Sequence, residues 1–363
     1  LTPFDTDGTV SLAVRNVDVN IGKACNLRCR FCSNGDPLPE ELRWADPGVV
    51  EAELRMRRRE GADSIGFLGG EPTLYPHLER IVRTARALGY GRVALCTNGT
   101  RLADPALLDR LLEAGVTRVA VSIHSHTRSV EDHITRRPGS FERKVAALRN
   151  LVSAERQGRL PDGLSLNTVL HRRNVERLDR FVRFAASLGV TGIRFNFIRP
   201  CRLAEGNPAW VPRFSLVTPS LRRVVRLNES LFRLALNFGD IPYCKYPRSV
   251  LGNPALRRRY VGEAWDLVTE VSVTWRHERK TMSARAARFN WQRRRLEFKS
   301  LAPTCRACRL RDRCEGVWRK YLDLYGDREF AAGPAFVEAC LGRAVGVGVS
   351  AVPRAVGVRA RRA

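Results

Sequence analysis

Cys25-Asn26-Leu27-Arg28-Cys29-Arg30-Phe31-Cys32 sets three thiols within eight residues, close enough for one short loop to bind three irons of a single iron–sulfur cluster. A cubane cluster ordinarily takes four thiolates. No other cysteine precedes Cys96, so a loop that offers three implies that a small molecule completes the coordination of the fourth iron. Structural zinc and buried free thiols are the competing readings. Zinc favours four protein donors in Cys or His pairs, and no second pair accompanies this loop.

Further along, Ser64-Ile65-Gly66-Phe67-Leu68 reads as a short buried strand that runs into Gly69-Gly70-Glu71-Pro72-Thr73. Alone, such a segment is an ordinary strand-to-helix turn. Glycine also lets backbone approach a ligand closely, and Glu71 with the neighbouring carbonyls offers acceptors for an ammonium group. Together, the CxxxCxFC loop and the GGEP turn resemble the radical S-adenosylmethionine (radical SAM) superfamily. The resemblance implies a [4Fe–4S] cluster on Cys25, Cys29 and Cys32, with the amino and carboxylate groups of SAM on the remaining iron. It also implies that Phe31, Gly69, Gly70 and Glu71 belong to the cofactor-binding surface, that Glu71 meets the methionine ammonium, and that Ser122 lies near the methionine carboxylate or ribose. Asn98 falls in a Thr97-Asn98-Gly99 strand end of the same kind, although Asn-Gly is equally a plain turn. The chemistry so implied is reductive cleavage of SAM to a 5′-deoxyadenosyl radical that abstracts hydrogen from a substrate, with the electron delivered by a donor such as flavodoxin or ferredoxin.

Composition restricts the remaining choices. With 44% apolar and 28% charged residues over 363 positions, the chain has enough apolar material for a full globular core. The formal charge is +26, yet only six of the 63 basic residues are lysines; an arginine excess of this kind reads mainly as solvated surface, and a nucleic-acid partner is the less favoured reading. Ten cysteines at metal-like spacings, rather than in a small disulfide framework, suggest a reducing, cytoplasmic setting. No membrane span or signal peptide is read in the sequence. The chain opens on Leu1, not Met, which leaves the completeness of its start undecided.

Strand-like and helix-like stretches alternate from residue 17 to 200, the pattern of parallel β/α units. Strands are expected at Val17–Ile21, Ser64–Leu68, Arg92–Cys96, Arg118–Ile123, Leu164–Leu170 and Gly192–Ile198, with helices near 47–60, 77–89, 105–114, 141–157 and 174–188. Gly61, Gly89, Gly115, Gly158 and Gly189 mark the helix ends. Six units match the α/β partial (β/α)6 TIM-type barrel of radical SAM enzymes, whose chemistry gathers at the carboxyl ends of the strands. His124, His126 and His133 follow such an end and read as loop hydrogen-bonders or as proton carriers. The expected division is a lead-in over 1–16, the barrel over 17–200, a smaller cluster-binding extension over 201–340 and a basic, disordered tail over 341–363.

The extension carries Cys305-Arg-Ala-Cys308-Arg-Leu-Arg-Asp-Arg-Cys314. This spacing resembles the SPASM and shortened twitch extensions of radical SAM enzymes, which hold auxiliary [4Fe–4S] clusters. The full SPASM pattern has another cysteine where this chain has Trp318, so one auxiliary cluster is expected, with Cys244 as its fourth ligand ahead of Cys340 and Cys201. A zinc knuckle is the competing reading. The resemblance favours an enzyme that modifies ribosomally made peptides, over small-molecule oxidation in natural-product or cofactor biosynthesis and over RNA modification. A non-enzymatic zinc-ribbon protein is the remaining alternative.

Overall fold

The computed structural model describes residues 15–39, 42–262, 269–275 and 287–341. Strands with alternating burial and helices with one apolar stripe combine into a parallel α/β sheet. The strands are β1 (Arg15–Asn20), β2 (Ala62–Leu68), β3 (Arg92–Thr97), β4 (Arg118–Ser122), β5 (Leu164–Leu170), β6 (Gly192–Phe197), β7 (Ala235–Gly239), β8 (Thr269–Val273) and β9 (Ala287–Asn290). Their order is β7-β6-β5-β4-β3-β2-β1-β8-β9, with β9 alone antiparallel among the described strands of this sheet. This is a partial barrel. The short pair β10 (Lys299–Ser300) and β11 (Val317–Trp318) stands apart from it.

Helices α1 (Pro47–Arg59), α2 (Leu78–Ala87), α3 (Pro105–Ala114), α4 (Arg128–Thr135), α5 (Ser140–Arg156), α6 (Leu178–Ser187) and α7 (Phe214–Leu227) lie in the connections. Leu78, Ile81, Val82 and Ala85 of α2, and Leu178, Phe181, Val182 and Ala185 of α6, recur at the i, i+3, i+4, i+7 spacing of a buried stripe. Asp46 and Asp104 cap α1 and α3, each followed by a proline whose missing N–H costs nothing at a helix start. The strand residues on the buried side, such as Val93, Leu95, Val119, Val121, Leu166, Ile193 and Phe195, are almost wholly enclosed.

Alternate residues project the other way, and there the sheet is polar and internally bonded. Asn196 Nδ2 donates to Asn167 Oδ1 at 2.7 Å, Arg118 Nη2 to Ser165 Oγ at 3.0 Å and Ser64 Oγ to Asn16 Oδ1 at 2.8 Å. A barrel whose interior were only a core would carry branched apolar residues here. This inner face is polar instead.

Beyond the expected six strands, β7 joins β6 and β8 joins β1, both in parallel. The β/α rhythm therefore continues past Pro200 rather than stopping there. The sequence hides it because Pro219 lies inside α7, a π-turn over Asn228–Phe232 follows it, and β7 has only five residues. After these come α8 (Arg248–Leu251), α9 (Pro254–Tyr260), α10 (Trp291–Leu296), α11 (Arg319–Tyr325) and α12 (Gly333–Leu341). The lead-in through residue 14 and the tail from residue 342 lie outside the described residues. No described helix is long and apolar enough to cross a membrane.

A buried ion network fastens β8 and β9 to α1. Arg57 Nε pairs with Glu53 Oε1 at 3.0 Å, Ser272 Oγ donates to the same oxygen at 2.6 Å, and Arg288 Nη2 reaches Glu53 Oε2 at 2.8 Å. Removing one partner of a buried pair leaves the other charge uncompensated, at about 3–5 kcal/mol. Glu53→Ala is therefore expected to lower the denaturation midpoint and to expose β8 and β9 to amide hydrogen exchange, while β3–β5 stay protected. Uniform loss of protection would contradict this anchoring.

Candidate active site

The three-cysteine loop leaves the carboxyl end of β1 and is held from two sides. On one side Gly70 N donates to Gly22 O and Glu71 N to Ala24 O, both at 2.8 Å. On the other, Arg28 N donates to Thr135 O at 3.0 Å, Arg30 N to Ile134 O at 2.9 Å and Arg30 Nε to His133 O at 3.0 Å. These are the otherwise unpaired last carbonyls of α4. Leu27 N donates to Cys25 Sγ at 3.4 Å, and Cys32 N closes a turn on Cys29 O at 3.0 Å. Cys25 is exposed, and Cys29 and Cys32 are half-buried.

Burial pushes all three thiols up, Cys29 to about 12, and neighbouring negative charges raise them further; Lys144 acts in the opposite direction on Cys29. Soft sulfur donors that stay protonated without a cation are suited to metal-driven deprotonation. Among the described residues no three His, Cys, Asp or Glu side chains converge tightly enough for a single metal ion. Three soft sulfur donors on one short loop are the donor chemistry of an iron–sulfur cluster.

The GGEP turn packs directly against the backbone that leads into the cysteine loop. A Cβ on Gly70 would sit 2.1 Å from Ala24 O, and one on Gly69, where φ is +147°, 2.4 Å from Gly22 O. The glycines admit the backbone that carries the cysteine loop. Glu71 also turns inward: it is fully buried, Oε1 accepts from Thr73 N, Thr73 Oγ1 and Thr97 Oγ1, and Oε2 accepts from Asn98 N at 2.6 Å. In this arrangement the carboxylate clamps the ends of β2 and β3 together.

Asn98 does face the loop, with Nδ2 on Asn26 Oδ1 at 2.8 Å and 3.8 Å from Cys25 Sγ. Ser122 ends β4 half-buried, its carbonyl accepting from Lys144 Nζ at 2.8 Å. Phe31 is buried in a cage of His124, His171 and Trp210, at ring-centroid distances of 5.1, 5.2 and 5.6 Å. It packs beneath the loop. Burial holds His124 and His171 well below the usual imidazole range, and their Nδ1 atoms accept from Val169 N and Arg173 N. His124 is thus a neutral packing and hydrogen-bonding residue. His126 and His133 stay partly open, and burial lowers both.

Sequence reasoning missed the pair Lys144–Glu131. Both are fully buried and bonded at 2.7 Å, and Glu131 Oε2 accepts from His124 N and Ser125 N. The pair ties α4 and α5 to the end of β4, and α4 in turn carries the cysteine loop. One of only six lysines, placed within an amphipathic helix, was the available signal.

In the extension, Cys244, Cys305, Cys308 and Cys314 line one recess, closed by Tyr243, Phe330 and Gly333. Gly333 leaves room for Cys244: a Cβ there would stand 3.2 Å from its sulfur. Gly316 N donates to Cys314 Sγ at 3.4 Å. Burial raises Cys244 to about 12, with the other three thiols adding to the effect. Neither Cys340 nor Cys201 lines this recess.

Residues 19–185 match the sequence profile of the Radical SAM superfamily. Over those residues the chain carries a Radical SAM domain. That domain implies a [4Fe–4S] cluster and SAM. The chain is similar to the probable GTP 3′,8-cyclase of Metallosphaera sedula, 30% identical over 192 residues, or 53% of this chain and 58% of that protein. It is also similar to the PqqA peptide cyclase of Ruegeria pomeroyi, 30% identical over 232 residues, or 63% of this chain and 60% of that protein. The chain spans about three-fifths of the length of these curated relatives. In fold it resembles Streptococcus suis SuiB bound to S-adenosylmethionine, with TM-score 0.57 and 14% identity over 85% of this chain and 73% of that one. Native anSMEcpe with bound AdoMet and Kp18Cys peptide gives TM-score 0.57 and 15% identity over 90% and 98%.

Two outcomes follow from this geometry. Glu71→Ala would strand three buried donors, each loss worth about 1–3 kcal/mol, so the metal-free protein is expected to unfold at clearly lower denaturant; an unchanged midpoint would remove the clamp. Because the loop thiols lie above neutral pH, iron must displace their protons. Apparent iron affinity in anaerobic reconstitution is expected to rise from about pH 7 to about pH 9, and pH-independent loading would contradict the assigned thiol states.

Proposed function

We propose that this chain is a radical SAM enzyme that modifies a ribosomally made peptide, with one cluster on Cys25, Cys29 and Cys32 and an auxiliary cluster on Cys244, Cys305, Cys308 and Cys314. The observation that carries the proposal is the four-thiol recess, which gives the extension a complete ligand set for a cubane. The likeness to peptide-bound anSMEcpe runs over 90% of this chain, the extension included, and the PqqA peptide cyclase is among the relatives. When bound, the reduced first cluster supplies the electron that cleaves SAM to the hydrogen-abstracting radical.

The chain's own residues position and enclose. The seam between Gly69–Gly70 and residues 22–24 fixes the loop's height above the sheet, and the carbonyls of α4 fix its tilt. Asn98 holds Asn26 and lies beside Cys25, while Phe31 fills the space beneath the loop and excludes water there. The polar inner face from Arg118 to Asn196 is suited to orient a polar substrate. Gly70 and Ser122 are retained as cofactor-facing backbone and side chain. A strongly basic surface suits docking of an acidic one-electron carrier of the flavodoxin or ferredoxin kind.

A small-molecule substrate is the second reading, favoured by the 30% identity to a probable GTP 3′,8-cyclase over the barrel half. Replacing Cys25, Cys29 and Cys32 with alanine is expected to abolish 5′-deoxyadenosine formation. Replacing Cys305 and Cys308 is expected to reduce iron to about half, as for loss of one of two cubanes, with uncoupled SAM cleavage retained. Wild-type cleavage by the first variant, or full iron in the second, overturns the corresponding cluster. Mass spectrometry of a short peptide encoded beside the gene, run against GTP consumption, separates the two substrate readings.

A further inference from the structure

Where β6 ends, the barrel meets the extension in a buried charge cluster. Asp240 Oδ1 pairs with Lys299 Nζ at 2.8 Å, Lys299 with Glu315 Oε2 at 2.7 Å, and Arg295 reaches both carboxylates. Arg199 stands at the edge of this group. Its guanidinium carbon lies 4.1 Å from the Trp291 ring centroid and 5.8 Å from that of Trp318. Among the described residues its side chain makes neither an ion pair nor a hydrogen bond. Burial lowers its pKa, and the attraction of Asp240, itself paired with Lys299, works against that.

A second donor at the same place is also without an acceptor. Trp318 is buried, and its Nε1–H has no hydrogen-bond partner. Buried N–H groups are normally satisfied. Two donor groups, one cationic and one neutral, thus lack acceptors on neighbouring side chains, and both would be met by a single planar oxyanion. Guanidinium engages such a group through a two-pronged pair of charge-assisted bonds, and the Trp291 face holds the fork flat.

We infer that Arg199, Trp318 and Trp291 form a seat for a substrate carboxylate at the junction of barrel and extension. Asp240 and Glu315 set its charge: one unpaired guanidinium matches a monoanion, whereas a polyphosphate would bring several negative charges toward two carboxylates. Helix α10, which carries Trp291, also contributes Arg293 and Arg294 to an open cleft lined by Asn20, Trp275 and Phe289. The remainder of an extended ligand has room there. Assigning the carboxylate to an acidic side chain or the C-terminus of a peptide rests on the peptide reading above; the seat itself does not.

Anaerobic calorimetry on the reconstituted full chain tests it, with N-acetyl-glutamate amide, N-acetyl-glutamine amide, N-acetyl-alanine, inorganic phosphate and GTP as probes. The capped glutamate is expected to bind at least about tenfold more tightly than the capped glutamine, a difference of the size of one charge-assisted hydrogen bond. Arg199→Gln should remove that preference, and Trp318→Phe, which keeps a ring but loses the N–H, should weaken it severalfold. Uncoupled SAM cleavage should persist in both variants. Binding of N-acetyl-alanine in place of the capped glutamate would assign the seat to a C-terminal carboxylate and support it. Equal binding of the glutamate and glutamine probes with no binding of N-acetyl-alanine, or a carboxylate preference untouched in both variants, overturns the seat. Arg199-dependent binding of phosphate or GTP with no carboxylate binding overturns the carboxylate assignment. If the carboxylate probes bind through Arg199 yet no peptide is modified, the seat stands and the peptide reading fails. Peptide turnover with an unchanged KM in Arg199→Gln upholds the peptide reading and overturns the seat.

Discussion

The contact on which the rest depends is between two stretches of backbone. Gly69 and Gly70 lie so close to residues 22–24 that any side chain at either position would collide with a carbonyl oxygen. Two amide hydrogen bonds use that proximity. Carbonyl oxygens do not swing aside as a flexible side-chain end does, so the seam fixes where β1 releases the cysteine loop. Glu71 then locks the seam to the next strand by collecting donors from Thr73, Thr97 and Asn98. A loop that must hold three sulfurs at the spacing of a cluster needs such support, because an error of an ångström in one sulfur breaks a ligand bond.

The other half of the support comes through ionic groups placed where water is scarce. Lys144 and Glu131 hold α4 against the end of β4, and α4 offers its terminal carbonyls to Arg28 and Arg30 of the loop. Glu53, Arg57 and Arg288 do the same for the β8–β9 edge. Buried pairs of this kind give little net stability compared with apolar packing of the same volume. Their contribution is to specify one arrangement: a helix displaced by one turn would leave a charge unpaired, and that penalty exceeds what sliding apolar surfaces would incur.

Much of this is legible in the sequence where local rules act alone. The strand expected at Leu164–Leu170 has the bounds the structure gives it, and the helix expected over 105–114, ended by Gly115, is α3 as it stands. Cysteine spacing indicates two separate thiol groups, and the structure gathers Cys244 with Cys305, Cys308 and Cys314 across a long loop. Two things are not legible. The parallel pairing of β8 with β1 joins residues about 250 positions apart, and no local pattern encodes a partner at that distance. The direction of the Glu71 side chain is hidden as well, because a carboxylate beside glycines is chemically plausible as a ligand donor, and only the placement of Thr97 and Asn98 at the next strand end shows what it bonds.

The same limit explains why the junction of barrel and extension cannot be found from sequence. Trp318 is noticeable there only as a tryptophan where the SPASM pattern has a cysteine, and Arg199 only as one of many arginines. Brought together they have a property that neither residue has alone, since a cation on an aromatic face beside an unsatisfied indole N–H is costly without an anion. Cys314, Glu315 and Trp318 are neighbours in sequence, and Glu315 bonds Lys299, which pairs with Asp240 beside β7. One short segment therefore carries a thiol of the four-cysteine recess, a half-buried carboxylate that docks the extension on the barrel, and a ring that faces Arg199. An anion held between Arg199 and Trp318 would touch the barrel on one side and this segment on the other, so its binding and the docking of the extension on the barrel are expected to be thermodynamically coupled.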